Sequence, residues 1–243
     1  VEIDVITANW AAPSNVRAIT TTRGNGVSVG PFRSFNLGGH VGDDDNAVMR
    51  NRRLAGEYFG LPGEPTWLTQ VHGDNIVCAD RYDPGKDADG SYSTVPGTVC
   101  VILTADCLPL FISDSAGTRV GLFHIGWRGL AQGLVRKAAR LFNGDGQAVA
   151  WLGPAIGPGA FEIGNDVKAN IQSAIQASAS CFKPSVNGKW FADLYALTAG
   201  ELRLEGAACS YDASLCTYTA SARFFSHRRS NPCGRMASLI WME

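Results

Sequence analysis

Thr98-Val99-Cys100-Val101-Ile102-Leu103, then Leu108-Pro109-Leu110-Phe111-Ile112-Ser113, then Val120-Gly121-Leu122-Phe123-His124-Ile125 is the stretch that decides the fold. Each run is apolar without interruption and too short for a helix, which is the pattern of a strand buried on both faces. Asp114 to Gly117 supplies turn chemistry between the second and third runs. Thr104-Ala105-Asp106-Cys107 ends the first run, so Cys107 and His124 are expected in or beside neighbouring strands.

Working outward, Gly126-Trp127-Arg128-Gly129 leads into a segment whose Leu130, Leu134, Ala138, Leu141 and Phe142 share one helical face, stopped by Asn143-Gly144. Ala148 to Leu152 predicts a further buried strand, and residues 153–159 hold too much Gly and Pro for either regular state. Asn165 or Asp166 is expected to cap a helix running to about Ala177. Asp193 is expected to cap another, with Leu194, Leu197, Glu201 and Leu204 at helical spacing. Phe224-Phe225-Ser226 and Ala237 to Trp241 predict terminal strands around Arg228-Arg229 and Arg235. The first sixty residues show no comparably clear period. No repeat, low-complexity tract or linker divides the chain, so residues 1–243 are expected to form one mixed-sheet domain with several helices.

The chain has 243 residues, 45% apolar and 18% charged, which supports an ordinary core and excludes a disordered chain. A net charge of -1 gives no overall attraction to nucleic acid or anionic lipid, and neither partner is expected. No run approaches the length of a membrane span. Val1-Glu2-Ile3-Asp4 lacks the basic-then-apolar pattern of a signal peptide, so a cytoplasmic location is expected. The seven cysteines are widely spaced with no Cys-x-x-Cys pair, which argues against a disulfide framework or structural zinc cage.

Several reactive signatures are absent: no Walker A loop, no dinucleotide Gly-x-Gly-x-x-Gly, no His-Glu-x-x-His and no zinc-deaminase motif. Gly26-Val27-Ser28-Val29-Gly30 has the form of a nucleophile elbow, but an elbow must enter a helix and Pro31 follows at once, so a turn is the better reading. Asp43-Asp44-Asp45 lacks the Gly and distal Glu of a calcium loop and reads as a solvated loop. His72, Cys107 and His124 form a stronger constellation, each at the end of an apolar element. They are compatible with a Cys-His nucleophilic pair, with a three-ligand metal site, or with unrelated core residues, since a free Cys is commonly a small buried hydrophobe.

Six strings in order resemble one family: residues 33–43 (Arg-Ser-Phe-Asn-Leu-Gly-Gly-His-Val-Gly-Asp), Gln70-Val71-His72-Gly73, Thr104-Ala105-Asp106-Cys107-Leu108-Pro109, His124-Ile125-Gly126-Trp127-Arg128-Gly129, Gly153-Pro154-Ala155-Ile156-Gly157-Pro158 and Gly234-Arg235-Met236-Ala237-Ser238. They are closely similar to the laccase-domain family, also called multicopper polyphenol oxidase-like, bacterial purine nucleoside phosphorylase and peptidoglycan editing factor. Departures are Ile125 for the family's usual Ala, His227 for Tyr, Cys233 for Thr, and Ala88-Asp89-Gly90 for Ala-Asp-Ala. The resemblance implies the α+β class: a single αββα four-layer domain, a mixed β-sandwich with helices outside, similar to a class of cysteine hydrolases.

For the site, the resemblance implies that His72, Cys107 and His124 bind a transition metal, generally zinc, with copper as a substitute. Asp106 is the candidate for tuning the neighbouring thiolate. The implied activity is phosphorolysis of adenosine, inosine, guanosine and methylthioadenosine, together with adenosine deamination. Nucleosides and phosphate are the expected partners, and a monomer is expected. By residue type, Arg128, Arg228, Arg229 and Arg235 are candidate phosphate donors, and Asn36 and His40 candidate ribose contacts. Two other classes stay open: a Cys107-His124 hydrolase or amidase acting on peptidoglycan precursors, and a non-catalytic metal-binding scaffold. A multicopper laccase is not expected, because four histidines cannot clothe four coppers, although copper loading could leave slow phenol oxidation as a side activity.

Overall fold

The buried runs become the strands of two facing sheets in a computed structural model that describes residues 3–144, 147–175, 179–212 and 214–243. In chain order the first half comprises β1 (Val5–Thr7), β2 (Val16–Thr21), α1 (Asp45–Phe59), β3 (Ile76–Cys78), β4 (Gly90–Ser93), β5 (Cys100–Thr104), β6 (Leu108–Ser113) and β7 (Val120–Ile125). There follow α2 (Trp127–Ala131), α3 (Leu134–Arg140), β8 (Val149–Leu152), β9 (Glu162–Ile163), α4 (Asn165–Ala174), β10 (Phe182–Pro184), β11 (Trp190–Ala192), α5 (Leu194–Leu204), β12 (Ala208–Tyr211) and β13 (Met236–Met242). One sheet has the order β1-β2-β13-β5 and the other β12-β8-β6-β7-β4-β3; β10-β11-β9 form a small third sheet. The large sheet is mixed, because β12 runs parallel to β8 and β3 parallel to β4.

Alternation along each strand assigns the layers. In β5, Val101 and Leu103 join Leu239 and Trp241 of β13 against Ala55 of α1. Cys100 and Ile102 point the other way and join Ile240 against Phe111, Leu122 and Trp151 of the large sheet. The far face of that sheet, with Leu110 and Phe123, packs on Leu134, Ala138, Leu197 and Leu202 of the helices. The order is therefore α1, sheet, sheet, helices: the expected αββα sandwich. Since both faces of β5, β6 and β7 are covered, no position calls for a polar residue to meet water, and the runs read as continuous.

The structure corrects several local expectations. The single helix expected from Leu130 to Phe142 is two, α2 and α3, interrupted at Gly133, where φ is +86°. Phe224, Phe225 and Ser226 form no strand. The two rings pack in a loop against Ala105, Cys233 and Met236. The backbone carbonyl of Phe224 accepts from Arg229 rather than from a ladder partner. The aspartate run is a helix start, not an open loop: Asp44 caps α1 by accepting from the Ala47 N–H, and Asp43 accepts from the Asn36 amide. Neither Asn165 nor Asp166 caps α4: the cap position is Gly164, which offers no side chain, while Asn165 and Asp166 are the first helical residues and the helix runs to Ala174; Ala177 lies outside the described residues.

Asp193 caps α5 as its sequence suggests, accepting from the Ala196 N–H at 2.9 Å. Replacing Asp193 with Ala is expected to cost about 1 kcal/mol, read as a lower urea midpoint with an unchanged slope.

Candidate metal centre

Between β5 and β6 the chain leaves one sheet and enters the other, with only Ala105, Asp106 and Cys107 to make the crossing. Asp106 takes the left-handed φ of +99° there, a strained conformation for a residue other than glycine. Its carboxylate holds the crossing in place, accepting from the Thr217 hydroxyl at 2.6 Å, the Ser226 hydroxyl at 3.0 Å and the Arg228 N–H at 2.7 Å. Asp106 is thus a clamp on the 217–228 segment, which corrects its expected role of tuning the Cys107 thiolate.

Cys107 emerges from this crossing beside β7, where His124 is buried and faces the space between the sheets. The third member, His72, sits in a loop with φ +61°. Two side chains missed in the sequence reading fix that loop. Gln70 bonds both the N–H and the carbonyl of Leu103, fastening the loop to β5. Asp89 accepts the backbone N–H groups of Val71, His72 and Gly73 and meets Nδ1 of His124 at 2.8 Å. One buried carboxylate therefore positions both imidazoles. Burial alone would push the Asp89 carboxyl up, but His124 and the backbone donors hold it below the usual carboxylate range. The clue in the sequence was Ala88-Asp89-Gly90, an acidic residue at the head of a short buried strand.

The ligating atoms of His72, Cys107 and His124 lie within 4.8 Å of one another. The two rings meet edge to face, with centroids 4.7 Å apart. Because Asp89 occupies Nδ1 of His124, Nε2 is the nitrogen left for a ligand. Burial would push the Cys107 thiol up, yet His124 and then His72 bring it down to about 6. Against a similar burial penalty, Cys107 and Asp89 raise His124 to about 9. A thiolate with two imidazoles fills three of a tetrahedral ion's four positions, so the donor set fits a metal with one open place. Gly126 seals one side: a Cβ there would meet His72 Cδ2 at 3.1 Å and Cys107 Sγ at 3.3 Å. Gly90, next to Asp89, is similarly confined, since a Cβ would fall 2.3 Å from Phe123 Cδ1.

The three groups line a cavity of about 360 Å³ together with His40, Thr104, Arg128, His227, Arg228 and Arg235. Trp127, Ile156, Phe161 and Leu194 give it an apolar wall. Two residues singled out from the sequence are not among its lining. Asn36 is fully buried and engaged with Gly38, Asp43 and the Arg235 N–H. Arg229 spends its guanidinium on the carbonyls of Thr217, Tyr218 and Phe224. Ser28 is buried, accepts from Asn51 and precedes a short turn of 3-10 helix, as a non-catalytic serine would.

A family model for the multi-copper polyphenol oxidoreductase laccase matches residues 17–243. The chain belongs to that family. Within it, the chain is 46% identical over 240 residues to a purine nucleoside phosphorylase of Pseudomonas aeruginosa, covering 98% of each. It is 41% identical over 244 residues to a purine nucleoside phosphorylase of Haemophilus influenzae, covering 99% of this chain and all of the relative. A crystal structure of a Neisseria meningitidis protein superposes with a TM-score of 0.92 at 42% identity, covering 98% of this chain and 99% of the other. The YfiH protein of Bacillus licheniformis superposes with a TM-score of 0.87 at 29% identity, over 94% and 93%.

A thiol brought down to about 6 is mostly thiolate at pH 7, and the thiolate is the reactive form. In metal-stripped protein, iodoacetamide is expected to label Cys107 first among the seven cysteines. The rate should fall as pH drops through 6, and added zinc should protect. Peptide mass mapping reads the outcome, and slower labelling at Cys107 than at the similarly half-buried Cys78 or Cys209 would contradict it.

Proposed function

We propose that the chain is a zinc-dependent purine nucleoside phosphorylase acting on adenosine, inosine, guanosine and methylthioadenosine, with adenosine deaminase activity, as a cytoplasmic monomer. The observation that carries this reading is that one cavity joins the His72, Cys107 and His124 set to the cationic side chains Arg128, Arg228 and Arg235 and to an apolar wall. A nucleoside and phosphate need such a mixture: cations for the anion, polar groups for the sugar and an apolar surface for the base. The names of the relatives agree with it.

In phosphorolysis, a phosphate oxygen bonds to C1′ of the ribose as the bond from C1′ to N9 breaks. The electron pair leaves with the purine, which takes up a proton, giving free base and ribose 1-phosphate. Arg128, braced over the Trp127 ring at 4.5 Å, holds the phosphate at the mouth. Arg228 and Arg235 complete the cationic rim from the opposite segment, Arg228 anchored through its N–H to Asp106. Burial, then Arg235 and Arg52, lower the pKa of His40, so its ring is neutral at pH 7 and can both donate to and accept from ribose hydroxyls. A zinc ion held by His72, Cys107 and His124 would supply an activated water for deamination and Lewis acidity toward the substrate.

A second reading has one observation in its favour. Asp89, His124 and Cys107 stand in the relation of a Cys-His-Asp triad, with the carboxylate on Nδ1 of the imidazole. A hydrolase of that kind would work without metal. A multicopper oxidase is disfavoured, since once His72 and His124 are taken only His40 and His227 remain, too few imidazoles for a three-copper cluster.

Chromatography of adenosine incubated with protein, with and without phosphate, tests the proposal. Adenine and ribose 1-phosphate should appear only with phosphate. Metal analysis should find about one zinc per chain, largely lost in Cys107→Ala, because two imidazoles leave too few ligands. Arg128→Met should raise the KM for phosphate about tenfold or more while keeping the zinc. Full turnover by metal-free protein would favour the thiol hydrolase instead.

A further inference from the structure

Five buried side-chain polar atoms among the described residues have no hydrogen-bond partner: Ser91 Oγ, Thr104 Oγ1, Arg119 Nε, Thr198 Oγ1 and one oxygen of Glu201. Three of them have a polar neighbour. Ser91 lies against the Cys100 thiol, the Arg119 guanidinium also reaches the Leu141 carbonyl, and Glu201 faces Arg136 at 3.1 Å. Thr198 is in the core on α5, away from the cavity. Thr104 alone among the five lines the cavity, and it is only 1% exposed.

Its place in the sandwich sharpens the point. Thr104 follows Cys100 and Ile102 on the face of β5 that looks toward the second sheet. His124 follows Val120 and Leu122 on the facing side of β7, so the hydroxyl stands at the open end of the layer that carries His124. On the same sheet face Thr20 and Ser238 satisfy each other at 2.8 Å, leaving Thr104 without a neighbour of that kind. A threonine needs only one rotamer step about χ1 to exchange its hydroxyl and methyl positions, which would turn Oγ1 to the cavity without moving the backbone. An orphan buried hydroxyl is destabilising, so valine, of the same shape, would be the better wall residue if nothing bound there.

We propose that Thr104 is a substrate-contacting specificity residue whose hydroxyl pairs with a ribose hydroxyl of the bound nucleoside. The inference rests on the phosphorylase reading above. A neutral hydroxyl both donates and accepts, which matches a sugar hydroxyl, while the cations Arg128, Arg228 and Arg235 on the same cavity suit the phosphate anion.

The test compares wild type, Thr104→Val and Thr104→Ser on adenosine, 2′-deoxyadenosine and 3′-deoxyadenosine, with kcat/KM, zinc content and Tm measured for each. Wild type should prefer adenosine over one of the deoxy analogues by about tenfold or more. Thr104→Val should lose that preference by slowing on adenosine while keeping its rate on that analogue, and Thr104→Ser should restore it. Without ligand, Thr104→Val should keep its zinc and melt no lower than wild type, whereas a residue needed only for folding would lower the Tm. Equal discrimination in wild type and Thr104→Val overturns the role of Thr104 while leaving the phosphorylase reading intact. A wild type that cleaves no nucleoside overturns both.

Discussion

Three residues must carry the chain from one sheet of the sandwich to the other, and the rest of the site is arranged around that short crossing. Because β5 and β6 lie in different sheets, Ala105, Asp106 and Cys107 span the open end of the inter-sheet layer. Asp106 stabilises its own strained backbone by accepting from two hydroxyls and one backbone N–H of the 217–228 segment. The same clamp that sets Cys107 thereby sets the approach of Arg228. Cys107 and Arg228 are consequently tied together through Asp106, one residue before the thiol, without help from a substrate.

A second carboxylate does the equivalent work for the imidazoles. Asp89 is fully buried, and an isolated charge there would be costly, but it is met by His124 and by the N–H groups of residues 71–73. Each interaction lowers the cost of the others: the carboxylate favours a charged His124, which in turn favours the thiolate of Cys107. An ion bound by the three ligands would take over the role of the imidazolium proton in that balance.

Much of the architecture was legible because the central strands are covered on both faces, so their apolar runs are unbroken and their ends fall where polar residues resume. Leu108–Ser113 and Val120–Ile125 are strands over the bounds read from sequence, and Asp193 is a helix cap. The break between α2 and α3 was hidden because Leu130, Leu134 and Ala138 keep helical spacing across it, all buried on the same core. Phe224 and Phe225 look like strand residues because they are buried, yet they are buried by a loop. In the site, residue type alone pointed to Asn36 and Arg229, and hydrogen bonding within the fold has used up both. Asp89 was overlooked for the converse reason: nothing local in Ala88-Asp89-Gly90 says that its partners lie near residues 72 and 124.

The close approach of Gly90 to Phe123 bears on how this sequence can diverge. An alanine at 90 has no room here, because the Phe123 ring fills the space that its methyl group would need. The two positions form a linked pair. From this sequence, a smaller or shifted side chain at 123 has to be accepted before alanine at 90 becomes tolerable, since the opposite order passes through a clash beside the carboxylate that orients both histidines. Gly90 and Phe123 should therefore be changed together, since β4 and β7 meet at this pair.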